Sequence, residues 1–213
     1  MALPLQVEVN IQDCFFASVP KATTVHITVE QPALNPDPVC PDPTATIALS
    51  PDRPPAPIPV PTWQHWFNCW LEQMAADLPS RSDQVITRYE LSLRLTDDRE
   101  IQQLNAQYRQ KDQPTDVLAF AALEVETPPI EDLPIDFPLY LGDIVISVET
   151  AQQQANQQEH TLQQELAWLA AHAWLHLLGW DHPDQASLEA MLQQQTILLQ
   201  TIGLTSSYDS GEN

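Results

Sequence analysis

Leu166-Ala-Trp-Leu-Ala-Ala-His172-Ala-Trp-Leu-His176-Leu-Leu-Gly179-Trp-Asp-His182 is the stretch on which the reading of this chain turns. Up to Trp180 it is the longest apolar run in the sequence, and two histidines interrupt it four residues apart. On a helix, positions i and i+4 share a face one turn apart, about 5.4 Å along the axis. Imidazoles at 172 and 176 can therefore chelate one ion. Gly179 permits the left-handed conformation that stops a helix, so the chain can reverse and present His182 as a third ligand. The 213 residues include only four glycines, which makes one at this corner informative. Three neutral imidazoles with no thiolate give a zinc ion a tetrahedron with one open position, the arrangement of a catalytic site. The run is too short and too polar for a membrane span.

This spacing is that of the zinc-peptidase pattern His-Glu-x-x-His-x-x-Gly-x-x-His, with one change: Ala173 stands where that pattern has its general base. An alanine accepts no proton, so a zinc metallopeptidase, or another metal-dependent hydrolase with this ligand spacing, is the weaker alternative. Glu165, seven residues before His172, is two turns away and reads as helix N-terminal charge. His26, His65 and His160 read as ordinary core or surface residues.

Working outward, apolar and polar residues alternate from Leu5 to Ile11, which predicts a half-buried strand; Thr23–Glu30 continues it or forms a second. Residues 32–61 then hold 11 of the 20 prolines. Proline fixes φ and removes a backbone donor, so this stretch is expected neither to join a sheet interior nor to run as a helix. It reads as a flexible insertion. Trp63, Trp66, Trp70, Leu71 and Met74 mark a core-facing helix over 63–76. Tyr89 to Thr96 alternates as a strand, with Tyr89, Leu91, Leu93 and Leu95 on one face. Asp97 or Asp98 caps a helix running to about Tyr108 with Ile101 and Leu104 inward. Strands follow at 116–123 and 139–147, the second entered through Gly142-Asp143, with an acidic loop between them. Two helices come next, broken near Glu159-His160, and Thr161 with Gln164 forms a capping box for the second. A last helix spans about Asp184 to Thr201 and ends before Gly203. Interleaved strands and helices indicate α/β or α+β with a small mixed sheet. The domain plan is N-terminal strand or strands at 1–31, the proline-rich insertion at 32–62, the core at 63–204, and a frayed tail at 205–213.

The formal charge is −21, from 29 acidic and 8 basic side chains. Nonspecific nucleic-acid binding needs cations to neutralise phosphates, so the total argues against it. The distribution is uneven, however. Residues 63–111 hold 7 acidic and 6 basic side chains, whereas 112–213 hold 16 acidic residues and no Lys or Arg. Three widely spaced cysteines (Cys14, Cys40, Cys69), none paired at metal-ligand spacing, and a start lacking the pattern of a signal peptide predict a cytoplasmic protein with free thiols.

The line HAWLHLLGWDH resembles the YbeY family of metal-dependent endoribonucleases, whose pattern is His-Gly-x-Leu-His-Leu-x-Gly-Tyr/Trp-Asp-His. A second family signature is matched by Leu104-Asn105-Ala-Gln-Tyr108-Arg109-Gln-Lys-Asp112-Gln-Pro114-Thr115-Asp116-Val117-Leu118-Ala-Phe120, and a third by Leu141 to Ser147. Together the match covers about residues 63–204. Two departures stand out: Ala173 replaces the usual glycine, and the 32–61 insertion is longer than the family norm. The resemblance implies one α/β domain with a four-stranded sheet flanked by helices. It also implies one Zn²⁺ per chain held by His172, His176 and His182, and a role for Arg109 in RNA processing. The implied activity is single-strand-specific cleavage at the 3′ end of 16S rRNA during late ribosome maturation. Ribosomal RNA is then the partner, with small-subunit ribosomal proteins and assembly GTPases by family analogy, and no membrane. A guanidinium suits Arg109's role because it holds a phosphodiester by two donors and opposes transition-state charge. Lys111 is a further phosphate contact. Asp181 is placed to orient a histidine or accept a proton, and equally to form a turn. Asp112 and Asp116 read as turn and strand-entry residues, and Asp143 as a brace of the sheet. A non-catalytic ribosome-assembly factor with a structural zinc is the third reading.

Overall fold

The structure is a computed structural model that describes residues 5–15, 58–78, 86–122 and 137–205. The expected strand at 23–30, the proline-rich stretch up to residue 57, Cys40 and the tail from residue 206 lie outside the described residues. In chain order the elements are β1 (Gln6–Asp13), α1 (Val60–Gln73), β2 (Arg88–Thr96), α2 (Asp98–Arg109), β3 (Val117–Ala121), β4 (Leu139–Ser147), α3 (Val148–Gln157), α4 (Leu162–Leu177) and α5 (Gln185–Thr201). The strands form one mixed sheet in the order β1-β2-β4-β3, in which β1, β2 and β4 are parallel and β3 is antiparallel to β4. The α/β class expected from the interleaved pattern is what the chain adopts.

Period-2 alternation divides the sheet's two faces. Val7, Val9, Leu91, Leu93, Leu95, Ile144 and Ile146 meet the aromatic stripe of α1 and the apolar α4 in the main core. On the opposite face, Leu118 and Val145 form a smaller cluster with Ile101 of α2. Helix α4 is buried along almost its whole length from Glu165 to Leu177, as expected for a helix that is apolar all round. It packs between the sheet and α5, so the run that bears His172 and His176 is the centre of the fold.

The capping predictions are met in detail. Asp97 accepts from the backbone N–H of Glu100 at 2.8 Å, and Thr161 with Gln164 closes a capping box on α4. Glu159, at φ 56°, separates α3 from α4. Two expectations change. Helix α1 starts at Val60 rather than 63, with Pro61 inside its first turn, where a missing N–H leaves nothing unsatisfied. Glu165 does lie in the first turn of α4, but it is fully buried and paired with His160. The edge strand β1 is covered by α1 side chains: Val7 N–H donates to Asn68 and Val9 N–H to Gln64, each at 3.1 Å. That satisfies ladder groups that would otherwise be open to pairing. Asp143 accepts from the Tyr140 hydroxyl at 2.7 Å within β4, and that hydroxyl lies 3.1 Å from Ser92 of β2, so its link to the neighbouring strand runs through Tyr140. Cys14 and Cys69 are free thiols. Among the described residues no helix is long and apolar enough to cross a membrane.

One glycine matters for the architecture. Tyr140 pairs with Glu90 while Gly142 pairs with Leu91, so Leu141 is an extra residue in β4. This bulge turns Gly142 toward the helical side. There, at φ 138°, a Cβ would lie 2.1 Å from the Phe120 carbonyl oxygen and 3.0 Å from Leu177 of α4. Only glycine lets β3, β4 and the end of α4 approach this closely.

Candidate metal centre

Helical periodicity sets His172 and His176 on one face of α4, and the geometry after the helix brings in the third histidine. The N–H groups of Gly179 and Trp180 fold back onto the carbonyls of His176 and Leu175, each at 3.0 Å. Gly179 takes φ 87° with open space where a Cβ would sit, so conformation, not crowding, calls for glycine here. The reversed chain carries His182 to the α4 pair. Ring centroids lie 4.7 Å apart for 172–176, 5.5 Å for 172–182 and 5.3 Å for 176–182. One ligand nitrogen from each ring falls within 4.8 Å of the others. Asp181 accepts from the His182 backbone N–H at 2.8 Å, which stiffens the turn that presents His182.

The half-buried rings are tuned toward the neutral form. Burial above all, then the neighbouring His176 and His182, lowers the pKa of His172 to about 4, against opposing effects of Gln195 and Asp116. His176 is likewise lowered, by burial first and also by His182 and Arg109, against the Trp180 hydrogen bond and Asp181. Neutral imidazole is the form that ligates a metal. The Trp180 carbonyl can only accept, so the His176 Nδ1 at 2.9 Å from it carries the proton and leaves Nε2 as a lone pair facing the cluster. Three converging imidazoles, two of them held toward the neutral form and one of these anchored through its far nitrogen, fit a zinc ion with an open position.

Around the triad is a cavity of about 440 Å³. Arg109, the last residue of α2, lines it together with Thr115, Asp116, the inward side chains of β3, Val117 and Ala119, and Asp181. Lys111 is exposed and outside this lining. Ala173 is fully buried and forms part of the wall, so no carboxylate stands at the position that serves peptidases. Two further polar residues belong to the site. Asp116 accepts from Val117 N–H at 2.8 Å and Gln154 Nε2 at 3.0 Å. Gln195, fully buried on α5, lies 3.3 Å from His172 Nδ1.

A family model described as Endoribonuclease YbeY matches residues 54–203. The chain belongs to the YbeY family. Among its relatives, a protein named endoribonuclease YbeY from Nostoc sp. is 51% identical over 94% of this chain and 92% of its own length. One of the same name from Trichormus variabilis is 48% identical over 94% and 96%, and one from Cyanothece sp. is 59% identical over 70% and 84%. A solution structure of a Thermotoga maritima protein aligns at 22% identity and a TM-score of 0.42 over 72% of this chain and 93% of that one. The three YbeY signatures quoted above converge here. HAWLHLLGWDH carries the triad, 104–120 runs from α2 through Arg109 into β3, and 141–147 is the strand that positions β3. Buried Asn105 ties the second signature together, donating to the Gln113 carbonyl at 2.8 Å.

Proposed function

We propose that this protein is a zinc-dependent, single-strand-specific endoribonuclease that processes the 3′ end of 16S rRNA late in ribosome maturation, in the cytoplasm. The observation that carries the reading is the convergence of His172, His176 and His182 within 4.8 Å in a cavity that Arg109 also lines. These three residues would hold one zinc ion per chain, which when bound supplies Lewis acidity toward a phosphoryl oxygen. Arg109, at the cavity's rim, grips the scissile phosphodiester through its fork of donors and opposes the charge that grows in the transition state. Lys111, exposed two residues further on, meets a flanking phosphate. Asp181 keeps His182 in place through the turn. A cavity this size takes one unstacked nucleotide, which favours single-stranded loops and ends over A-form duplex. Small-subunit ribosomal proteins and assembly GTPases are the partners this role implies.

The test pairs cleavage with metal content. Purified wild type, His176→Ala and Arg109→Glu are incubated with structured rRNA fragments. Wild type is expected to cut near the 3′ end, His176→Ala to lose both zinc and cleavage, and Arg109→Glu to keep zinc and lose cleavage. Equal cleavage by all three would trace the activity to a contaminant and sink the proposal. Because His182 lies between α4 and α5, a metal there would also tie the last helices together, which supports the non-catalytic assembly role as a second reading. Under that reading His176→Ala melts the fold and Arg109→Glu leaves rRNA processing intact.

A further inference from the structure

We infer that Gln195 is a positioning residue of the metal centre, fixing which nitrogen of His172 carries the proton and so aiming the Nε2 lone pair at the metal position. The role rests on the zinc-dependent reading above. Gln195 sits on α5, fully buried, and its two amide atoms reach different partners. Its Nε2 donates to the Trp168 carbonyl at 2.8 Å, and its Oε1 lies 3.3 Å from His172 Nδ1.

A backbone carbonyl can only accept, so the nitrogen of Gln195 must face Trp168 and its oxygen must face the histidine. An amide oxygen can only accept in turn, so His172 Nδ1 must carry the hydrogen. That leaves His172 Nε2 as a lone pair. The Trp180 carbonyl imposes the same tautomer on His176, and the two Nε2 atoms stand 3.2 Å apart. With both tautomers fixed no proton lies between them, and two facing lone pairs repel. A cation shared by both nitrogens turns that repulsion into attraction. Trp168 lies one turn before His172 on α4, so α5 fixes the first ligand by gripping the helix that bears it. The outer partner of an imidazole ligand typically changes metal affinity by about 10–100-fold.

The experiment compares wild type with Gln195→Met, close in shape but unable to accept, and Gln195→Glu, which as the buried acid keeps an oxygen toward His172 and an O–H toward the Trp168 carbonyl. Zinc affinity is measured by competition with a chromogenic chelator. In the zinc-loaded proteins, NMR follows solvent exchange of the His172 Nδ1–H proton. Gln195→Met is expected to bind zinc about 10–100-fold more weakly and to lose exchange protection of that proton, while Gln195→Glu recovers most of both. Normal wild-type binding with an unaffected Gln195→Met overturns the role of Gln195 alone. Absence of zinc binding by wild type overturns the metal reading and this role with it. A rapidly exchanging His172 Nδ1–H in the zinc-loaded wild type overturns the role whether or not the variants fold.

Discussion

Gly142→Ala is the substitution that tests most directly how the sheet is assembled around the site. At φ 138° the backbone is in territory that L side chains rarely adopt, which costs about 1–3 kcal/mol. The added Cβ would also stand 2.1 Å from the Phe120 carbonyl oxygen, a backbone atom that cannot swing aside. Strand β3 must then retreat from β4, weakening the pairing of Phe120 and Ala121 with Asp143 and Gly142 at about 1 kcal/mol per hydrogen bond. The combined loss is about 3–5 kcal/mol, a large part of a typical stability of about 5–15 kcal/mol. Gly203 supplies the control: it too has positive φ, 76°, but open space at the Cβ position, so Gly203→Ala should lose only about 1–2 kcal/mol. Urea unfolding followed by circular dichroism reads both. With a slope of about 2 kcal/mol per molar, Gly142→Ala should move the midpoint down by about 1.5–2.5 M. A Gly142→Ala midpoint no lower than that of Gly203→Ala would refute the close-approach argument. Because β3 presents Val117 and Ala119 to the cavity, the folded fraction of the variant should also show impaired RNA cleavage.

Other expectations follow from particular contacts. Trp70 and Trp174 are both fully buried, yet Trp70 Nε1 donates to the Leu198 carbonyl at 2.9 Å, whereas Trp174 Nε1 meets no partner among the described residues. Trp70→Phe should therefore cost at least about 1 kcal/mol more than Trp174→Phe in chemical unfolding; equal losses would contradict this. Burial, with the Asp143 and Glu90 charges adding to it and the Ser92 hydrogen bond opposing it, pushes the Tyr140 phenol up to about 12. A raised folded-state pKa means that its stabilising contribution is complete below the unfolded value near 10 and fades as pH climbs from there through 12. A tyrosinate absorbance titration should show one late-ionising group that disappears in Tyr140→Phe. RNA affinity should fall only shallowly with salt, since few phosphates are neutralised: with about two contacts the log–log slope on a single strand is about −1.4, and a slope of several units would contradict it.

Much of this arrangement was legible because local rules agreed with the tertiary outcome. The i, i+4 histidines and Gly179 imply the corner whatever surrounds them, and the alternation in β2 matches its burial from Arg88 to Leu95. The strand order was not legible. Pairing β1 with β2 in parallel joins residues about eighty positions apart, and no turn signal spans that distance. Gln195 hides for another reason: it sits in the run Gln193-Gln194-Gln195, where composition suggests a solvated face. Helical phase was the available signal, since Met191, Leu198 and Leu199 share its buried side of α5. Asp116 reads as a strand-entry residue and is one, capping Val117 N–H; that the same turn borders the triad follows only from folding α4 across β3. For Glu165 a surface rule failed because burial came with a partner, His160.

The charge that first argued against a nucleic-acid substrate can be placed on the fold. Arg94 is committed to Glu100. Arg88 begins β2 at the end of the sheet away from Ser147 and the site, roughly 26 Å along the strand at about 3.3 Å per residue. Of the described cations, Arg109 alone lines the cavity. A chain this acidic needs its positive charge at the site from elsewhere, and the ligand set bears on how much of it survives. Carboxylate or thiolate ligands would neutralise a dication as they bound it, whereas imidazole ligands, two of which burial holds toward the neutral form, would leave its charge for a substrate phosphate. Asp116 sits nearby, but backbone and amide donors engage its oxygens, which blunts its repulsion of that phosphate. Under the zinc-dependent reading, an all-histidine centre would thus suit both the acidic composition and an anionic substrate. Replacing any one of the three ligands by a carboxylate should weaken RNA binding more than zinc binding.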